Sequence, residues 1–200
     1  MTYRSANYRA RLVVMVKEPR PGRVKTRLGR DLGYTVSAWW FRHQCARLLR
    51  RLRDPRWQLV LAVAPDLEGL SSRIWPEDLP RWPQGSGDLG DRMGRALRLM
   101  PPGPVVVIGA DIPGITRAHI AKAFAELGRN DAVIGPAPDG GYWLIGLARR
   151  LPIPPGLFAG VRWSSEFARA DTIATMDRHK IAEIEMLSDV DTAEDLKLLG

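Results

Sequence analysis

The sequence contains a single cysteine, Cys45, among 200 residues, so no internal disulfide can form and a reducing compartment is the natural setting. No apolar run approaches the ~20 residues that a membrane-spanning helix needs. The start, Met1 to Ala10, is polar and carries Arg4 and Arg9, which leaves no apolar core for an export signal. These absences predict a cytoplasmic chain with no membrane partner. Histidine is scarce, and His43, His119 and His179 share no metal-ligand spacing. Ser164 and Ser165 lack the flanking glycines of a nucleophile elbow, which disfavours serine-hydrolase chemistry. Acidic residues are the minority, 22 against 30 Lys and Arg, for a formal net charge of +8. That excess favours anionic ligands such as phosphates. Much of it, however, lies in Arg42, Arg47, Arg50, Arg51, Arg53 and Arg56, opposite an apolar helical stripe of Phe41, Cys45, Leu48 and Leu52, where charge normally serves solvation. No interleaved aromatic platform accompanies it, so nucleic acid is not an expected partner.

What is present reads as alternating strands and helices. Leu12 to Val16 and Val105 to Ile108 are continuous aliphatic runs of the kind buried on both faces of a parallel sheet. Trp57 to Val63, Asp131 to Gly135 and Tyr142 to Leu147 supply three more strands. Helices are predicted over about Thr35 to Arg53, from Leu89 to the Pro101-Pro102 stop, and from the Thr116 cap to about Leu127. Another starts at Ser164 or Ser165, and a last one follows Asp191, which with Glu194 matches a capping box. Ile181 to Ile184 reads as a short edge strand, and residues 75–87 as an extended surface loop. With no repeat and no linker, residues 1–200 read as one domain, an α/β fold in three α/β/α layers around a mostly parallel, Rossmann-like sheet. Such sheets bind ligands beyond the carboxyl ends of their strands, so the loops after Val16, Ile108 and Ile134 carry the functional information.

The first of these loops, KEPRPGRVKTRL at residues 17–28, gathers Lys17, Arg20, Arg23, Lys25 and Arg27 around Gly22. Glycine permits close backbone approach, and ammonium and guanidinium groups form charge-assisted bonds to phosphate oxygens. The loop is neither a Walker A sequence nor a dinucleotide fingerprint. In QGSGDLGDRM, residues 84–93, Gln84 can pair bidentately with a base edge, and the glycines let a base or ribose lie against the backbone. Asp111 follows directly on the clearest strand, where a rigidly held carboxylate suits magnesium. Asp139, in Asp139-Gly-Gly-Tyr-Trp143, supplies a second carboxylate at a turn near the same sheet edge.

Together with DVDTAEDL near the C-terminus, KEPRPGRVKTRL, QGSGDLGDRM, GADIP and GPAPDGGYWLIGL resemble a bacterial family of glycosyltransferase-A-like (GT-A) proteins in the nucleotide-diphospho-sugar transferase superfamily, some of them labelled arsenosugar-biosynthesis glycosyltransferases. The resemblance runs from about residue 11 to 199. It implies a GT-A fold, a nucleotide or nucleotide-sugar on the N-terminal half, a small-molecule acceptor, and Mg2+ or Mn2+ near Asp111. It places Lys17, Gly22, Lys25 and Arg27 on the phosphates, and Gln84, Gly87 and Gly90 on the base and ribose, with Asp111 and Lys25 as catalytic residues. Metal-dependent enzymes of this fold usually carry Asp-x-Asp, whereas Asp111 here is followed by Ile112 and Pro113. The second metal carboxylate must come from elsewhere: Asp139 is the expected one, with Asp189 and Asp191 as alternatives. The pattern is also similar to guanylyltransferases that activate phospholactate or phosphoenolpyruvate. Nucleotidyl transfer to a small phosphorylated or carboxylated acceptor, with release of pyrophosphate, is therefore the alternative reaction.

Overall fold

The computed structural model describes residues 8–197; residues 1–7, most of the polar start, and residues 198–200 lie outside the described part. Its strands are β1 (Arg11–Lys17), β2 (Gln58–Ala64), β3 (Arg81–Pro83), β4 (Val105–Gly109), β5 (Ala132–Pro136), β6 (Tyr142–Leu147) and β7 (Ile181–Glu183), joined in one sheet of order β3-β2-β1-β4-β6-β5-β7. β1 runs parallel to β2 and β4, and β2–β3 and β5–β7 are also parallel pairs. β6 is antiparallel to both neighbours. The cause is connection length. Only residues 137–141 join β5 to β6, whereas a parallel pair needs a crossover of about a dozen residues or more.

Alternate strand residues feed two apolar cores. Leu12, Val14 and Val16 pack with α2 (Tyr34–Arg51) and α5 (Arg117–Glu126) on one face, while Val13, Val105 and Val107 pack with α4 (Leu89–Leu99) and α6 (Ala168–Ala174) on the other. The predicted stripe of α2 is buried, Phe41, Cys45, Leu48 and Leu52 each being 6% exposed or less. Burial also pushes the Cys45 thiol well above its ordinary pKa, which removes it as a nucleophile at neutral pH. The arginines lie outside: Arg42, Arg47 and Arg50 are exposed, and Arg53 and Arg56 pair with Asp78 and Asp54. Among the described residues, no helix is long and apolar enough to cross a membrane.

Five local features differ from expectation. The basic loop is partly helical, with α1 spanning Thr26–Leu32, and a short α3 (Asp66–Ser71) follows β2. The surface loop 75–87 contains β3, which extends the sheet by pairing Leu61 with Arg81 and Val63 with Pro83. The helix expected from Ser164 or Ser165 begins instead at Ala168, because Ser164 adopts a left-handed conformation (φ 56) incompatible with a helical turn. Finally, the capping box of α7 (Ala193–Lys197) is made by Thr192 and Asp195 rather than Asp191 and Glu194. Asp191 is one residue early, and its carboxylate faces Lys25 and Arg27 instead.

Candidate active site

A cavity of about 590 Å³ opens at the carboxyl ends of β1, β4 and β5, a volume suited to a small-molecule ligand. On one side the β1–α1 connection ends at Lys25, which precedes α1 in the left-handed region (φ 43, ψ 52), a strained conformation for a residue with a Cβ. Its ammonium lies 2.8 Å from Asp111 Oδ2, 2.6 Å from Asp191 Oδ1 and 3.7 Å from Asp189 Oδ2, and the side chain is 5% exposed. Burial alone would lower its pKa; the charges and hydrogen bonds of Asp111 and Asp191 outweigh that and raise it above the ordinary lysine value. Arg27 Nη1 also donates to Asp191, at 3.0 Å.

The three carboxylates arrive from distant parts of the chain. Asp111 leaves the rigid end of β4, two residues past Gly109. Asp189 and Asp191 lie on the segment after β7, which is stitched across the sheet edge: Leu187 N–H donates to Pro136 O at 3.1 Å and Val190 N–H donates to Asp111 O at 3.2 Å. Val190 is 2% exposed and anchors the segment, so its neighbours on either side turn their carboxylates toward Lys25. Oxygens of Asp111, Asp189 and Asp191 all lie within 4.8 Å of one another, a spacing that fits a divalent cation's oxygen shell. Asp139 lines the same cavity but stands outside this group. Its Oδ1 accepts the Gly141 N–H at 2.9 Å, which holds it on the β5–β6 turn.

Asp189 is half-exposed, yet its pKa is pushed up to about 6; burial is the main cause, opposed by Lys25 and reinforced by Asp191, Asp111 and Asp139. A raised carboxyl pKa means that the folded chain holds the proton more tightly than the unfolded chain does. The resulting stability is present at low pH and is lost as pH climbs from about 3.8 through about 6. In metal-free protein, Asp189→Asn is therefore expected to raise the melting temperature near pH 8 and to leave it close to wild type near pH 4. An equal shift at both pH values would overturn that electrostatic account.

The basic loop brings Lys17, Arg23, Lys25 and Arg27 onto the cavity wall, while Arg20 pairs with Glu68 at 3.2 Å. Gln84 is on the wall as well, but 7% exposed, with Nε2 donating to Val16 O at 3.0 Å and to Ala62 O at 2.8 Å. Both amide hydrogens are thus committed to strand carbonyls, and the bidentate pairing expected for a base edge is replaced by a single acceptor, Oε1. Gly22, Gly87 and Gly90 are off the wall. Gly22 and Gly87 have positive φ, 74 and 98, and shape their turns. Gly90 is buried where an added Cβ would come within 2.7 Å of both Phe158 and Trp163. The cavity also takes Tyr142, Trp163, Ser164 and Ser165, which sequence reasoning did not select as ligand-facing. Tyr142 is signalled only as the start of a strand, and Trp163, Ser164 and Ser165 lie in a stretch with no periodicity.

The sequence matches, over residues 48–165, a family described as an uncharacterized protein conserved in bacteria (DUF2064). The chain belongs to this family. A solved structure is similar over most of its length: a protein of Desulfovibrio desulfuricans G20 assigned to the nucleotide-diphospho-sugar transferases is 32% identical, with a TM-score of 0.86 over 96% of this chain and 86% of that one. Like that relative, the chain is a transferase, and its fold is the nucleotide-diphospho-sugar transferase fold. Two more remote structures share that fold. Rv0371c of Mycobacterium tuberculosis H37Rv, in complex with manganese, is 17% identical with a TM-score of 0.54, covering 96% of this chain and 97% of that one. The 4-diphosphocytidyl-2C-methyl-D-erythritol synthase of Anaerococcus prevotii DSM 20548 is 10% identical with a TM-score of 0.58, covering 96% of each chain. No curated protein matches the sequence.

Proposed function

We propose that the chain acts as one domain, in the cytoplasm, as a metal-dependent GT-A-type glycosyltransferase that takes a nucleotide-diphospho-sugar and passes the sugar to a small-molecule acceptor. The observation that carries this reading is the meeting of Lys25 with Asp111, Asp189 and Asp191 at the end of a phosphate-sized basic loop. The donor set is all oxygen and mostly half-exposed, which fits Mg2+ or Mn2+ and not a soft metal. Asp111 would be the principal ligand, with Asp191 and Asp189 beside it. A cation held there supplies Lewis-acid stabilisation to the departing nucleoside diphosphate. Lys17, Arg23 and Arg27 would offset the remaining phosphate charge, and Gln84 Oε1 would accept one hydrogen bond from the base.

The number of cations on that wall also suits a triphosphate, which is the observation favouring nucleotidyl transfer as the second reading. The two reactions differ in product. Incubation with a nucleotide-sugar should release a nucleoside diphosphate, whereas the second reading requires pyrophosphate from a nucleoside triphosphate. Thermal shift against nucleotides with Mg2+ or Mn2+ selects the base, since a ligand at 100 times its dissociation constant adds about 2.7 kcal/mol of stability. A chain stabilised by no nucleotide would refute both readings.

Arg27 offers a smaller test, because its side chain is 72% exposed and contributes little to the core. Arg27→Ala is expected to weaken nucleotide binding roughly tenfold, in line with losing one charge-assisted bond, while the melting temperature stays near wild type. Calorimetric titration that finds unchanged affinity would remove Arg27 from the phosphate site.

A further inference from the structure

The cavity is electrostatically divided. Its cationic groups, Lys17, Arg23, Lys25 and Arg27, all come from the β1–α1 side. The facing wall, drawn from residues 137–145 and 163–168, contributes no lysine or arginine. It offers instead the Asp139 carboxylate, the rings of Tyr142 and Trp163, and the Ser164 hydroxyl, the Ser165 hydroxyl being engaged by Arg162 O and the Phe167 N–H. The arginines flanking it in sequence are engaged elsewhere: Arg162 pairs with Asp171 at 2.9 Å and Arg169 with Glu183 at 3.1 Å.

From this division we infer that the group bound beyond the phosphates is uncharged and hydroxylated, a neutral sugar, and that Trp163 and Asp139 select it. This rests on the transferase reading above. An anionic group on that wall would meet the Asp139 charge with no lysine or arginine on the same wall to offset it, and Asp189 nearby, whose own counter-ion is Lys25 at 3.7 Å. A cation on the triad would neutralise Asp189 but would leave Asp139, which lies outside it. Hydroxyl groups, by contrast, can donate to Asp139 Oδ2, since Oδ1 is already taken by the Gly141 N–H.

Trp163 is built as a fixed platform. Its Nε1–H donates to Asp88 Oδ2 at 3.1 Å, and its ring packs at 5.9 Å from Phe158 and 6.5 Å, edge-on, from Tyr142. The left-handed turn at Ser164 follows immediately, and Ser165 Oγ donates back to Arg162 O at 2.6 Å. The polar edge of the indole is therefore satisfied by protein, and the apolar ring surface remains for the C–H face of a sugar. Asp88 also caps α4 beyond the loop that carries Gln84, so the platform is tied to the base side of the cavity.

Calorimetry on the full chain with Mn2+ tests this, using UDP, GDP, ADP and CDP, their glucose or mannose conjugates, and the C6-oxidised uronate of whichever conjugate binds best. The hexose should add roughly tenfold or more to the affinity of the matching diphosphate, the scale of an aromatic contact plus a charge-assisted bond, and the uronate should lose that gain. Trp163→Ala should abolish the hexose gain and spare the diphosphate. Trp163→Phe, which keeps a ring in the same packing, should retain part of it. Asp139→Asn should narrow the gap between hexose and uronate. If a diphosphate binds but the hexose adds nothing, or the uronate binds as tightly as the hexose, this inference fails and the nucleotide site stands. If none of the four diphosphates binds, the glycosyltransferase reading falls and the inference with it.

Discussion

Asp111→Asn is expected to slow release of nucleoside diphosphate from the nucleotide-sugar by about a hundredfold or more, which corresponds to about 2.7 kcal/mol of lost transition-state stabilisation. The substitution keeps the size of the side chain and one acceptor oxygen, so Lys25 Nζ, 2.8 Å away, retains a partner. What disappears is the charge that would offset a cation. A helix-cap role would give a different result, about 1 kcal/mol of stability lost on replacement by Ala and almost none by Asn. That role is already filled, because the N-cap of α5 is Thr116, whose hydroxyl accepts the His119 N–H. The measurement pairs turnover at saturating Mn2+ with Mn2+ affinity and a denaturant melt. Asp191→Asn should weaken Mn2+ binding too, whereas Asp139→Asn should leave it nearly unchanged, because Asp139 lies outside the triad. If Asp111→Asn keeps more than about a third of the wild-type rate, the metal-ligand assignment of Asp111 fails.

Much of the frame was legible because its signals are local. The aliphatic run of β1 and the four-three-four stripe of α2 each encode their own burial, and both are buried as read. β3 is only three residues long and carries Arg81 and Pro83, so its pairing with β2 has no periodicity to announce it. The site divides in the same way. Asp111 could be placed because it directly follows a rigid strand. Which of Asp139, Asp189 and Asp191 clusters with Asp111 could not be read from sequence, since it depends on where the chain runs after β7. That path is set by the Leu187-to-Pro136 and Val190-to-Asp111 backbone bonds, which no short window contains. Gln84 lies on the cavity wall, but its amide is occupied by carbonyls 68 and 22 residues away. Its reduction to a single acceptor is a tertiary fact.

Lys25→Met is expected to move metal and nucleotide affinities in opposite directions. The ammonium sits within hydrogen-bond distance of Asp111 and Asp191 and 3.7 Å from Asp189, so it occupies the space a divalent ion would share. Like charges about 4 Å apart repel by roughly 4 kcal/mol per unit pair at an effective dielectric near 20, so both cations cannot keep these positions. In wild type, phosphate oxygens offer the lysine another partner, and nucleotide should thereby promote metal binding. Methionine fills a similar volume without charge. The variant should therefore bind Mn2+ roughly tenfold or more tightly when no nucleotide is present, and should bind nucleotide more weakly by a similar factor. Stability provides an independent readout. Without metal, the unpaired carboxylates should destabilise the variant by on the order of 2 kcal/mol, less than the loss of a fully buried pair because each carboxylate is a third to a half exposed. Added Mn2+ should restore the melting temperature of the variant more than it raises that of wild type. Titrations of Mn2+ into both proteins, with and without nucleotide, decide the matter. Weaker Mn2+ binding in a variant that melts like wild type would mean that Lys25 supports the carboxylates rather than competing with the metal.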